Sequence, residues 1–329
     1  MEARLVEALP DEAGWQFEPK WDGFRALAAR NGDGVALWSK SGKPLGRYFP
    51  EIVAMLAALP EQRFLLDGEL IIPVGEALSF SALQARLHPA ASRVERLARE
   101  TPAQLMLFDC LRLGGEDFAP RPLAERRSAL EAFHRRAGPH DMLLSPRSLS
   151  RADADHWLAA AGGALDGVIA KRLDEPYRGG ERAMLKVKQL RTADCVVGGY
   201  RKGEGGTVAS LLLGLFDAEG RLDHVGFTSA FPAAERAALA ALVEPVEGPP
   251  GFTGDAPGGP SRWNGGEAKP YVPLRHELVA EVVYDQITAG RFRHGTRFLR
   301  WRPDKAPEQC TREQLVRELR PAELLPLLG

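Results

Sequence analysis

Cysteine is scarce in this sequence. Cys110, Cys195 and Cys310 are the three among 329 residues, and no two stand in a C-x-x-C pair. That argues against a disulfide framework and against a cysteine zinc site. The seven histidines form no H-E-x-x-H pattern. Long apolar runs are also missing. The longest uncharged one, Val208 to Phe216, is too short to span a bilayer. Met1 to Pro10 carries Glu2 and Glu7 and lacks the apolar core of a signal peptide. These absences imply a reduced, soluble, cytoplasmic protein with no membrane partner. Net charge is nearly absent too, at −1. A generally basic nucleic-acid coat is excluded by that balance, whereas a local basic surface is not.

What is present suits about two folded domains: 44% hydrophobic and 26% charged residues over 329 positions. Helical periodicity runs over Pro50–Leu59, Leu123–Ala137, Arg151–Ala161 and Ala233–Leu242. Phe64 to Ile72 reads as strand, turn or bulge, strand; Leu105–Asp109 and Gly167–Lys171 read as short strands. The first part is therefore expected to be α+β. From about Arg191, strands are expected at Asp194–Tyr200, Ser210–Asp217, Leu222–Phe227, Val279–Tyr284 and Arg297–Arg302. Five short strands and one helix suit a small barrel such as an OB-fold. Arg86–Pro102 reads as a mostly surface linker with some helix, and Glu247–Pro273, rich in Gly and Pro, as a long loop. A last helix is expected from Thr311 to Leu319, with Thr311 as N-cap and Gln314 in the capping box.

Five segments bring chemistry. Lys20 stands beside Asp22, Gly23 and Arg25 in Glu18-Pro19-Lys20-Trp21-Asp22-Gly23-Phe24-Arg25. Such a lysine is a solvated turn residue, or a nucleophile if nearby cations disfavour its charge. Leu66-Asp67-Gly68-Glu69-Leu70 places two carboxylates in an apolar run, where they need a donor or a metal, or mark a polar bulge. Phe108 offers a core ring or an aromatic face for a base. In Leu185-Lys186-Val187-Lys188 the lysines share one face of a strand, which suits a phosphate or simple edge protection. Arg291 to Lys305 carries six basic residues and one acid, with aromatics interleaved. That is a nucleic-acid or polyphosphate surface, or a solvated strand.

In this order and spacing the segments resemble the nucleotidyltransferase superfamily of ATP-dependent DNA ligases, RNA ligases and mRNA capping enzymes. They are most similar to the small bacterial ATP-dependent repair ligases of the ligase C type and to the ligase domain of ligase D, a likeness shared by Arg86–Val94. The resemblance implies an adenylation domain over 1–190 and an OB-fold domain over 191–329. It implies a DNA ligase that seals nicks with 3′-hydroxyl and 5′-phosphate ends through a lysyl-AMP and a DNA-adenylate. The alternatives are an RNA ligase, a guanylyltransferase and a non-catalytic DNA-binding module.

By the same resemblance Lys20 is the nucleophile on the α-phosphate of ATP, and Glu18 faces the adenine edge. Asp22 and Arg25 orient the lysine, the ribose and the nick phosphate. Ser39-Lys40 takes the place of the usual Ser-Arg phosphate contact, without arginine's bidentate fork. Glu69 holds the ribose hydroxyl or a metal. Phe108 stacks on adenine, and Lys171 belongs to the nucleotide site. Asp166 stands where a glutamate metal ligand is usual. Lys186 and Lys188 neutralise the α-phosphate, and Arg302, Asp304 and Lys305 match an R-x-D-K motif that orients pyrophosphate. The implied cofactors are ATP and Mg²⁺, with Mn²⁺ the alternative. The implied partners are nicked duplex DNA and bacterial repair or end-joining proteins, for a monomer associated with the nucleoid during repair. A hinge is implied near Gln189–Asp194, and phosphate contacts are expected from Lys186, Lys188, Arg191, Arg201 and Lys202.

Overall fold

Strict alternation of polar and apolar residues in Trp15-Gln16-Phe17-Glu18-Pro19 makes a strand with two unlike faces. Phe17 points into an apolar cluster with Leu9, Trp157 and Val168, while Gln16 and Glu18 share the opposite face. The computed structural model describes residues 1–74, 77–137, 141–160, 165–188, 191–231, 233–258, 270–285, 287–288, 290–293 and 295–315. The described chain divides into two compact units, one ending at Lys188 and one running from Arg191 to Leu315.

The first unit holds two sheets. In the smaller, Trp15–Pro19 pairs antiparallel with Val168–Arg172, which pairs antiparallel with Met184–Val187; Ala3–Leu5 joins the far edge in parallel. The larger runs Met142–Leu144, Gln104–Leu113, Arg63–Ile71, Phe24–Asn31, Gly34–Ser39. Helices Pro50–Ala57 and Leu123–Ala137 pack on it, around Phe49, Ile52, Leu66, Leu70, Leu107 and Phe133.

Of the turn or bulge expected within Phe64–Ile72, the bulge is what forms: Arg63–Ile71 is one continuous strand, with the irregularity in its pairing at Asp67-Gly68. Its register against Gln104–Leu113 skips a residue twice, at Leu111 and at Phe108. Gly68 serves close approach: a Cβ there would lie 2.7 Å from the Met106 carbonyl oxygen. The stretch expected as a mostly surface linker with some helix does contain the helix Ala91–Glu100, but its Arg86 is fully buried rather than at the surface. Arg86 Nη2 donates to Glu51 Oε2 at 2.7 Å and Arg86 Nε to the Tyr48 carbonyl at 3.1 Å. A buried cation must be paired in this way.

The second unit is a five-stranded closed barrel. Its circuit is Arg191–Lys202, Val208–Phe216, Leu222–Ala230, Thr296–Trp301, Val279–Tyr284 and back to Arg191–Lys202. The pairing of Leu222–Ala230 with Thr296–Trp301 is parallel and the others are antiparallel. With the helix Ala233–Val243 between the third and fourth strands, this is the OB-fold arrangement. Among the described residues of the Gly/Pro stretch there is no strand before Val272–Pro273. Its first part is nevertheless packed: Phe252 is buried among the barrel residues, against the His224 ring. Residues 259–269 of that stretch lie outside the described residues. So does the end of the expected helix at 311–319; what is described is a single 3-10 turn, Arg312–Gln314, with no side-chain cap from Thr311. Gln314 instead clasps the Asp194 backbone, donating to its carbonyl at 3.1 Å and accepting from its N–H at 3.0 Å.

Candidate active site

The strand alternation that buries Phe17 delivers Glu18 and then Lys20 to one face of the smaller sheet. Lys20 lies just past the strand, held by two backbone bonds: its N–H donates to the Gly167 carbonyl at 2.9 Å, and the Asp166 N–H donates to its carbonyl at 3.0 Å. Gly167 has φ +134°, and a Cβ there would sit 2.0 Å from the Val187 carbonyl oxygen. Only glycine fits, so the D-G pair at 166–167 can lie flat beside both Lys20 and the Lys186–Lys188 segment.

Asp166, almost wholly buried, bridges two lysines. Its Oδ2 is in ion-pair contact with Lys20 Nζ, and its Oδ1 lies 3.0 Å from Lys188 Nζ. Lys186 follows from the strand Met184–Val187. Its pKa is lowered by burial first and by the neighbouring Lys20 and Lys188 charges next. Three ammonium groups and one carboxylate thus crowd one spot, a strong attractor for an oxyanion.

The larger sheet supplies the facing wall. Arg25 is opposite Glu69 in register and reaches diagonally to Asp67, with Nε to Oδ1 at 3.0 Å and Nη2 to Oδ2 at 2.5 Å. The Tyr177 hydroxyl donates to the same Asp67 carboxylate at 2.8 Å. Gly23 permits the strand's entry, since a Cβ would lie 2.1 Å from the Leu70 carbonyl oxygen. Phe108 is one of the two residues skipped in the register of its strand. A bulge of this kind re-aims a side chain, and the ring comes to line a cavity of about 490 Å³. Glu18, Lys20, Arg25, Glu69, Lys171 and Lys186 line it as well. Its size suits a nucleotide. Lys171 Nζ lies 4.7 Å from the Phe108 ring centre and 2.8 Å from Glu18 Oε2. Ser39 and Lys40 rim an adjoining, more open groove with Lys43 and Arg47; Lys40 Nζ is 3.1 Å from Glu2. Asp22 is half-buried near Glu69.

In the second unit Arg302, Asp304 and Lys305 form one cluster around Asp194. Arg302 Nη1 donates to Asp194 at 3.0 and 3.1 Å, Lys305 Nζ donates to Asp194 Oδ2 at 2.7 Å, and Arg302 Nη2 donates to Asp304 at 2.8 Å. The Arg302 hydrogen bond holds the Asp304 carboxyl down, at about 2. The aromatics expected to interleave with cations on a binding surface are elsewhere. Phe292 and Phe298 are buried in the barrel core and Trp301 packs against it. The alternation of the strand Thr296–Trp301 turns Phe298 inward and Arg297 outward. Arg300 pairs with Glu281 at 2.6 Å.

Two family models match the chain: the ATP dependent DNA ligase domain over residues 3–188 and the ATP dependent DNA ligase C terminal region over 204–305. The chain belongs to the ATP-dependent DNA ligase family. The ligase is 44% identical to DNA ligase C of Mycobacterium tuberculosis, over 97% of this chain and 94% of that protein. It is 46% identical to DNA ligase C1 of Mycolicibacterium smegmatis, over 96% and 92% respectively. A Lig E DNA ligase structure covers 92% of this chain and 100% of its own, with a TM-score of 0.55 at 17% identity, a likeness of fold.

The family uses a divalent metal with ATP. Among the described residues no three His, Cys, Asp or Glu side chains converge as a metal cluster. Magnesium needs no such cage, because one or two carboxylates plus substrate phosphates suffice. The donors fit that pattern. Glu69 is pushed up to about 8, by burial first, against the pull of Lys20 and Arg25; a cation beside it would relieve that shift. Asp166 is already engaged by two lysines.

The Glu69 shift carries a pH signature. Its folded value lies above the ordinary 4.5, so between those values the folded ligase holds a proton that the unfolded chain has lost. Stability through this group therefore falls as pH rises from about 4.5 to about 8. Glu69→Gln should flatten that part of the melting-temperature profile. Identical slopes in both proteins would contradict the assignment.

Asp67, Tyr177, Gln16 and Asp194 carry much of this geometry and were not singled out as site residues from the sequence. Gln16 had a usable signal in the Gln16-x-Glu18-x-Lys20 alternation. Asp194, a lone acid in a basic stretch, had a weaker one. Tyr177 had none, since its partner lies 110 residues away.

Proposed function

We propose that the ligase adenylates itself on Lys20, transfers AMP to the 5′-phosphate of a nick in duplex DNA, and joins the 3′-hydroxyl with release of AMP. One observation carries this most: Lys20 and Lys186 line a nucleotide-sized cavity whose wall presents Phe108, and Asp166 ties Lys20 to Lys188. In the first step the Lys20 Nζ lone pair attacks the α-phosphorus. The bond to the β-phosphate oxygen breaks, pyrophosphate leaves, and the amine gives up a proton on the side where Asp166 lies. Lys186 and Lys188 neutralise the charge gathering on the α-phosphate oxygens, and catalysis is positioning plus charge stabilisation. Phe108 stacks on the base, Glu18 and Lys171 line its edge, and Arg25, fixed by Asp67, orients ribose and nick phosphate with Asp22. Ser39 and Lys40 bind DNA phosphate in the adjoining groove. Mg²⁺, bound with the triphosphate, would be held by Glu69, and by Asp166 once its lysine contacts are released, and would supply further charge neutralisation.

The reading extends to an adenylation domain over 1–190 and an OB domain over 191–329. Arg302, Asp304 and Lys305 of the latter orient the leaving pyrophosphate. Repair is the setting suggested by a further relative, the multifunctional end-joining repair protein LigD of Mycobacterium tuberculosis. It is 31% identical over 91% of this chain and 37% of its own length. The reading keeps a cytoplasmic monomer. No helix among the described residues is long and apolar enough to cross a membrane. DNA contacts should be mainly to phosphates, hence salt-sensitive and independent of sequence.

Lys305→Ala tests the division of labour. Self-adenylation should fall by about 10²-fold or more, as for loss of a charge-stabilising group. Sealing of a pre-adenylated nick should stay within about threefold of the parent rate, because pyrophosphate takes no part in it. Equal loss in both assays would refute a role confined to pyrophosphate.

A further inference from the structure

Gln16 is fully buried and does not line the nucleotide cavity, yet it is bonded to a residue that does. Its Nε2 donates to Glu18 Oε1 at 2.7 Å, while Lys171 Nζ donates to Glu18 Oε2 at 2.8 Å. Strand register explains the pairing. Gln16 stands opposite Lys171 and Glu18 opposite Ile169 on antiparallel neighbours, so all four share one sheet face. Each Glu18 oxygen thus has one fixed donor and one lone pair left. The carboxylate is held as a pure acceptor in one orientation. Lys171 is also committed to the Phe108 ring, which leaves Gln16 as the donor dedicated to Glu18.

The other end of the amide is informative. Gln16 Oε1 is buried and has no hydrogen-bond partner among the described residues. An orphaned buried acceptor destabilises the fold, and an apolar side chain would avoid that cost. The amide is therefore kept for its donor.

We infer that Gln16 is a positioning residue for base selection: it sets Glu18 to accept a hydrogen bond from the exocyclic amine of adenine. This rests on the reading that Glu18 faces the adenine edge. A site built around a buried acceptor rejects an analogue that lacks the matching donor, because the acceptor is then left unpaired.

The test compares kcat/KM for self-adenylation with ATP and with purine riboside triphosphate, which lacks only the exocyclic amine. It is run on the parent ligase, Gln16→Leu and Gln16→Met. Taking the ratio within each protein cancels any loss of folded material. The parent should prefer ATP by about 10- to 100-fold. In both variants the preference should shrink to about threefold or less, through a higher KM for ATP and an unchanged value for the analogue. A parent-like ratio in both variants would overturn the role of Gln16 while leaving Glu18 in place. A parent ratio near one would overturn the Glu18 reading, and this inference with it.

Discussion

Lys20→Ala should abolish self-adenylation, lowering it by about 10⁴-fold or more, as expected if Lys20 is the covalent nucleophile. Lys20→Arg should do the same, because a guanidinium stays protonated and cannot attack phosphorus. In the proposed mechanism the Lys20 amine reacts only in the first step. Both variants should therefore still join a nick supplied already adenylated, at a rate set by the DNA contacts and the remaining cations. The paired assays, labelled ATP on the protein and pre-adenylated nick on the DNA, separate the chemistry from the fold. A Lys20→Ala protein that forms an adenylate would show that another group is the nucleophile.

Asp109→Ala should be the most destabilising single change near the site. Asp109 and Arg126 are both buried. Arg126 Nε donates to Oδ1 at 2.8 Å and Nη2 to Oδ2 at 3.1 Å. Nη1 donates to the Arg121 and Glu175 carbonyls at 2.8 and 2.9 Å. Removing the carboxylate leaves a guanidinium with no counter-charge in a dry environment, at a cost of about 3–5 kcal/mol. For a unit of this size that lowers the melting temperature by roughly 6–20 °C. The double change Asp109→Ala, Arg126→Met should recover much of the loss, since replacing both partners by apolar groups leaves no orphaned charge. Calorimetry on the two variants decides. A single variant within about 1 kcal/mol of the parent would contradict the assignment. Asp109 follows Phe108 on its strand, so the same pair anchors the bulge that aims the ring into the cavity.

Much of the architecture is legible in the linear pattern. The five barrel strands and the helix Ala233–Val243 were expected within a few residues of where they lie, because each strand turns a regular row of apolar residues into one core. What the pattern hides is pairing across distance. The Asp67-Gly68 step reads as a turn or a bulge, since glycine beside an acid suits either, and the register shift there is the bulge. Its real constraint is the Met106 carbonyl on the next strand. Arg86 looked like surface because its partners, Glu51 and the Tyr48 carbonyl, are more than thirty residues away. Phe292 and Phe298 looked like a binding face because cations flank them; the strand period sends them to the core. The site motifs were legible as an order of residue types. The need of Asp67 for a donor was legible from its apolar setting, but which donor meets it, Arg25, was not, and Tyr177 left no local trace because its partner is distant in sequence.

The most direct test of the account is intact mass and peptide mapping of the protein after ATP and Mg²⁺, then after nicked duplex DNA. The account predicts one added AMP, located on the peptide containing Lys20, that disappears as sealed DNA appears. An AMP mapped to any other residue, or an adduct on Lys20 that nicked DNA fails to discharge, would contradict it.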